Sequence, residues 1–211
     1  MCIRDSGIDR SPRQLDQARS LLEGQAFADG RYELQQMDAA QMDFGTGEFD
    51  AAFICWILEH ADEPARILSE VRRVLKAGSP IVLNEVMNSS FFLDPYSPNT
   101  WKYWMAYNDF QLEQGGDPFV GSKLGNLLLQ QGFDRIETEV KIWHFDNRHP
   151  SSRREVISFW TELLLSAADQ LTEAEFVTKE IVEGMKLELK TVAHDPNAVF
   201  YFSFMQARAF V

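Results

Sequence analysis

Between Phe49 and Ile57 the chain is apolar at nearly every position, and this run constrains the fold more than any other feature. It is far shorter than the roughly 20 residues that cross a bilayer. Unbroken rather than alternating, it reads as a strand covered on both faces, as in parallel sheets flanked by helices. Its surroundings agree. Gly7-Ile8-Asp9 reads as the end of a buried strand. A helix follows, with Ser11 as cap, Pro12 in the first turn and Gln14 completing a capping box. Leu15, Ala18 and Leu22 share a face, and Gly24 stands near its stop. Tyr32–Met37 forms a second strand, and residues 41–48 form a loop. A second helix carries Asp62 as cap, Pro64 in its first turn and an apolar stripe of Ile67, Leu68, Val71, Val74 and Leu75. Gly78 takes the place of a C-cap glycine, and Ile81–Val86 is the next strand. Strand–helix crossovers of this order build an α/β fold with a mostly parallel sheet. Ligands in such sheets bind beyond the carboxyl ends of the strands.

The second half has another texture. Residues 88–120 hold nine aromatic side chains, among them Trp101, Trp104, Tyr107 and Phe110, and end on a Gly115-Gly116-Asp117-Pro118 turn that reads as a hinge. Ser122–Gln131 is helical and stops at Gly132. Ile136–Phe145 alternates as a strand. Residues 151–192 carry two helical patterns divided near Leu171-Thr172, and Val199–Phe210 is a final strand.

Charge and cysteine content narrow the partners. The net charge of −12 repels phosphate backbones and anionic lipid, so neither nucleic acid nor a membrane is expected. Two isolated cysteines, Cys2 and Cys55, make no disulfide framework and point to the reducing cytoplasm. His60, His144, His149 and His194 are scattered without ligand spacing, so no metal is expected.

The ordered series Gly7-Ile8-Asp9-Arg10-Ser11-Pro12, Gln36-Met37-Asp38-Ala39, Phe49-Asp50, Leu58-Glu59-His60 and Val74-Leu75-Lys76-Ala77-Gly78 resembles the class I S-adenosylmethionine-dependent methyltransferases. The resemblance is close over residues 7–87 and looser over 121–145. It implies a Rossmann-like sheet whose last strand is antiparallel, with lid insertions at about 88–120 and 151–192. It also implies S-adenosylmethionine as cofactor. Asp9, with Arg10 beside it, matches the strand-end acid that accepts from the ribose hydroxyls, which a two-oxygen carboxylate can do. Asp38 and the Ala39 N–H match the adenine contacts, and Cys55, Trp56 and Ile57 match the segment beneath the cofactor. The family's first strand and Gly-rich loop have no counterpart. Residues 1–6 therefore read as a non-native leader, residues 7–211 as a partial domain, and the activity as that of a parent protein.

Methyl transfer needs a general base only for an un-ionised acceptor, and His60, Glu85 and His144 are the candidates, with His144 set behind the others because it lies within a strand. Glu85 points toward the same rim as His60, and pairing with a lid residue is its alternative role. Aromatic density in the lid points to a small, partly apolar acceptor. Two rivals remain open at this point. A nicotinamide-dependent oxidoreductase explains Asp9 but neither Asp38-Ala39 nor Leu58-Glu59-His60, and a non-catalytic small-molecule binder of the same fold explains both.

Overall fold

A computed structural model describes residues 5–23 and 31–211. Strand β1 (Asp5–Asp9) pairs in parallel with β2 (Tyr32–Gln36), placing Asp9 opposite Gln36. β1 thus takes in two residues that the sequence assigned to a leader. Helix α1 (Pro12–Leu22) packs on this pair. Its Ser11 Oγ accepts from the Gln14 N–H at 3.4 Å, as the capping box predicts, and Leu15 is the residue it buries. The expected stop at Gly24 lies outside the described residues.

The apolar run yields a shorter strand than predicted, β3 (Ala52–Cys55). It is not covered on both faces. Ile54 is buried, but Phe53 is 65% exposed. Among the described residues β3 pairs with one neighbour only, and β1–β2 stand as a separate sheet, so half of the cover that a central strand receives is lacking.

Helix α2 (Pro64–Val74) buries Ile67, Leu68, Val71 and Val74 as predicted. Its capping differs. Glu63, not Asp62, precedes the first turn, and it makes no side-chain cap bond. Nor does Gly78 cap the C-terminus. Leu75 turns extended at once, and a parallel bridge links it to Phe49. Gly78, at φ +79°, instead shapes the turn into β4 (Pro80–Val86), its N–H donating to the Val211 carbonyl at 2.8 Å.

Helices α3 (Pro98–Glu113) and α4 (Leu124–Gln130) follow β5 (Phe92–Asp94), and β6 is Asp134–Phe145. Three helices, not two, precede the last strand: α5 (Pro150–Leu165), α6 (Ala168–Glu173) and α7 (Lys179–His194). The predicted divide at Leu171 fails because that residue is the buried centre of α6. β7 (Val199–Phe210) is antiparallel to β4, β5 and β6, whereas β3 and β4 run parallel. β7 is therefore the one reversed strand of this sheet, and it is the last.

β4 and β5 lie end to end along one edge of β7. At the break between them the Ser90 hydroxyl accepts from the Ser203 N–H at 2.8 Å and donates to its carbonyl at 2.9 Å, replacing the missing ladder bonds. β7 also joins two cores. Phe200 and Phe202 lie in a lid core with Trp104, Trp160, Leu171 and Met185. Ala207 and Ala209 lie in a sheet core with Leu58, Leu68, Leu83 and Leu128.

Candidate active site at the strand ends

The carboxyl ends of β3 and β4 meet at a buried carboxylate. Glu85 is wholly buried on β4, and its Oε1 accepts from the N–H groups of Ile57 (3.1 Å) and Leu58 (3.0 Å). Burial pushes its carboxyl up to about 7 against the lowering effect of those two bonds. Glu85, read from the sequence as a candidate base or else a partner for the lid, holds the chain leaving β3.

That chain turns sharply. Trp56 adopts φ +52°, a left-handed conformation uncommon outside glycine and asparagine. Its N–H donates to the Asn84 carbonyl at 2.9 Å, and its ring packs against Trp143, Phe202 and Phe204. The indole Nε1 is buried without a partner. Ile57 and Cys55 are exposed at the same rim. Burial, and then the nearby Glu85, raise the Cys55 thiol.

The lid contact falls on a residue that the sequence reading passed over, Glu59. It is 6% exposed, and its Oε2 accepts from Gln111 Nε2 of α3 at 2.9 Å. The same amide nitrogen lies 3.2 Å from the Glu59 carbonyl and 3.3 Å from His60 Nδ1. His60 Nε2 stands 3.8 Å from Glu59 Oε1, with the imidazole largely in solvent. Burial raises the Glu59 carboxyl, opposed by His60 and the Gln111 bond. Burial, reinforced by Glu59, pushes Tyr107 of α3 up to about 12. The available signal for these groups was spacing: Trp104, Asn108 and Gln111 lie one and two turns apart on a single face of α3.

Nor is the Gly115–Pro118 turn a loose hinge. The Asp117 N–H donates to the Glu59 carbonyl at 2.8 Å, and the Pro118 carbonyl accepts from Asn88 at 3.0 Å. A Cβ on Gly116 would stand 2.4 Å from the Glu59 oxygen. The turn is clamped to the strand-end segment.

The remaining predicted residues gather at the other sheet. Asp9 Oδ1 accepts from the Ser11 N–H at 2.7 Å, and the Asp9 carbonyl accepts from Met37 at 3.1 Å. Asp38 Oδ1 accepts from the Ala40 N–H at 2.8 Å, which forms a tight turn around Ala39. Arg10, Gln36, Met37 and Asp38 line a shallow cleft of about 270 Å³. Asp9, Arg10, Asp38 and Ala39 thus share one rim, and Cys55, Trp56, Ile57, His60 and Glu85 share another. No cluster of three or more metal-ligating side chains occurs among the described residues.

Residues 3–83 match the family profile described as "Methyltransferase domain". Over that stretch the chain is similar to the S-adenosylmethionine-dependent methyltransferases. Over 149 residues the chain is 28% identical to O-methyltransferase resE of Aspergillus sclerotiorum, covering 70% of the chain and 52% of that relative. It spans about half the length of that relative and less of some others it matches. Its fold resembles a methyltransferase structure from Bacillus halodurans (TM-score 0.60, 18% identity, covering 98% of this chain and 83% of that one). A second likeness is to a Haemonchus contortus phosphoethanolamine N-methyltransferase in complex with S-adenosylhomocysteine. There the TM-score is 0.54 at 17% identity, covering 99% of this chain and 44% of that one. No helix among the described residues is long and apolar enough to cross a membrane.

Proposed function

We propose that this methyltransferase domain binds S-adenosylmethionine across the two rims and serves methyl transfer to a small, partly apolar acceptor in the cytoplasm. The observation that carries this reading is that Asp9 and the Asp38–Ala39 turn stand at the carboxyl ends of β1 and β2, and the Trp56 bend at the carboxyl end of β3. Support for a small acceptor comes from the aromatic side chains of α3 and from the name of the similarly folded phosphoethanolamine N-methyltransferase.

The groups present fit that cofactor. Asp9 keeps unused lone pairs after its bond to Ser11, as ribose hydroxyls require. The orphaned Trp56 Nε1–H offers a buried donor. Asp38 lines the shallow cleft with Arg10, Gln36 and Met37, and Ala39 follows it in the turn, so the adenine ring is assigned to this cleft. When bound, S-adenosylmethionine supplies an electrophilic sulfonium methyl. The chain's own part is orientation and the exclusion of water. Glu85 holds the Ile57–Leu58 backbone, so we assign it a positioning role. His60, open to solvent at the rim, is left as the general base for an un-ionised acceptor.

Calorimetric titration of the folded chain with S-adenosylhomocysteine and with NADH tests the reading. Binding of the first alone is expected, weakened about tenfold or more by Asp9→Ala, since a hydrogen bond to a charged group contributes roughly 1.5–3 kcal/mol. Binding of NADH, or of neither, would overturn the assignment for this chain.

A further inference from the structure

We propose that Glu59 and Gln111 form a proton-operated latch that holds α3 down over the carboxyl ends of β3 and β4. Three features of the contact carry this inference. It is buried on both sides, with Glu59 and Gln111 each 6% exposed. It is half-satisfied: Gln111 Nε2 donates to the Glu59 carboxylate, but Gln111 Oε1 is buried without a partner. Lastly, the same Glu59 residue receives the end of the lid through its carbonyl, which accepts from Asp117, where Gly116 leaves no space for a side chain.

A carboxylate can only accept, so while Glu59 is charged it cannot serve the orphaned amide oxygen. A neutral carboxyl has one O–H to donate. Protonation converts the single bond into a reciprocal acid–amide pair, O–H to Oε1 and N–H to the carboxyl oxygen. It removes an unsatisfied buried atom and a buried charge in one step. Loss of the proton to solvent restores the half-made contact.

The surroundings push the same way. Glu85 on β4, Cys55 on β3 and Tyr107 on α3 each feel the Glu59 charge, and charging any of them opposes charging Glu59. Asp117, paired with Lys123, adds a screened carboxylate at the end of the lid. His60, from a largely solvated ring, and the bond from Gln111 favour the charged form, and burial outweighs both. The folded protein holds Glu59 above its ordinary value. Its stabilising contribution is therefore complete at acid pH and is lost as pH rises through the folded value. The lid is latched when acid and loosened when alkaline.

Hydrogen–deuterium exchange of the full chain, without cofactor, tests this independently of S-adenosylmethionine binding. After correction for intrinsic rates, protection of the 98–113 helix is expected to fall about tenfold between pH 5.5 and pH 8, relative to β7. Glu59→Gln preserves a neutral reciprocal partner and should hold the acid-level protection at both pH values. Gln111→Leu should give the alkaline level at both. A pH-independent α3 in the unmodified chain overturns the latch. So does a pH dependence that survives Glu59→Gln, which would assign the effect to Glu85. Because the unmodified chain alone can refute the proposal, a poorly folding variant does not shield it.

Discussion

At the scale of single residues, the rim is governed by buried carboxylates that the chain keeps close to neutrality. Glu85 is the clearest. Its value of about 7 lies above that of an unfolded glutamate, so folding favours the protonated form. The stability it contributes is full below about pH 4.5 and declines as pH rises toward 7, a span on the order of 3 kcal/mol. Glu70 and Asp146 work in the opposite sense. Hydrogen bonds from Arg73 and from Arg148 respectively hold each near 2, so their contributions vanish only in strong acid. Melting temperature should peak in mildly acidic solution and fall toward pH 8. In Glu85→Gln the alkaline decline should flatten, and scanning calorimetry across pH checks this. Residue-level chemistry was only partly legible in the sequence. Asp9 and Asp38 announce themselves by standing at strand ends beside small residues. Glu59 does not, because its burial depends on α3, which folds over it from fifty residues away.

Secondary elements were easier to read wherever one face meets one environment. β7 was predicted to the residue because its alternation matches a strand between two layers, and the buried stripe of α2 from Ile67 to Val74 was legible because it faces the sheet core, though its caps were not. Elements went unread where a distant element supplies what local sequence lacks. The N-terminus of α3 is such a case, since Ser97 makes no side-chain cap bond. Glu188 of α7 takes its place, accepting from the N–H groups of Asn99 (3.0 Å) and Thr100 (2.8 Å) and from the Thr100 hydroxyl (2.9 Å). Burial alone would raise this carboxyl, yet the bonds from Asn99 and Thr100 lower it. A charge at a helix start also meets the favourable end of the dipole. Glu188→Ala should destabilise the protein by about 2–3 kcal/mol, read as a shift in urea midpoint, and Glu188→Gln should recover part of the loss. Gly121 is a second long-range constraint. A Cβ there would lie 2.5 Å from the Glu85 carbonyl oxygen, so Gly121→Ala should displace the β4 end and lower the melting temperature by several degrees.

For the whole molecule, the separation of β1–β2 from the larger sheet is the main consequence of what the described chain contains. Neither β1 nor β3 has a second strand beside it among the described residues. Protection against hydrogen exchange in β1 and β2 should therefore be at least tenfold below that of β4 and β7. Equal protection would show that the two sheets unfold as one. The sequence reading found no counterpart for the family's first strand but left open whether β1 and β3 would stand apart or be forced together; they stand apart. It could not anticipate that β7 would thread both cores, since that depends on where β4 ends. The lid core has a further use. All five tryptophans of the chain lie in or against it, at positions 56, 101, 104, 143 and 160, and the sheet core has none. Intrinsic fluorescence is therefore a local gauge in this protein: it reports the lid while leaving the β1–β2 end dark. Far-ultraviolet dichroism sees helices at both ends, so an offset between the two denaturation curves would measure directly how weakly one half of the molecule depends on the other.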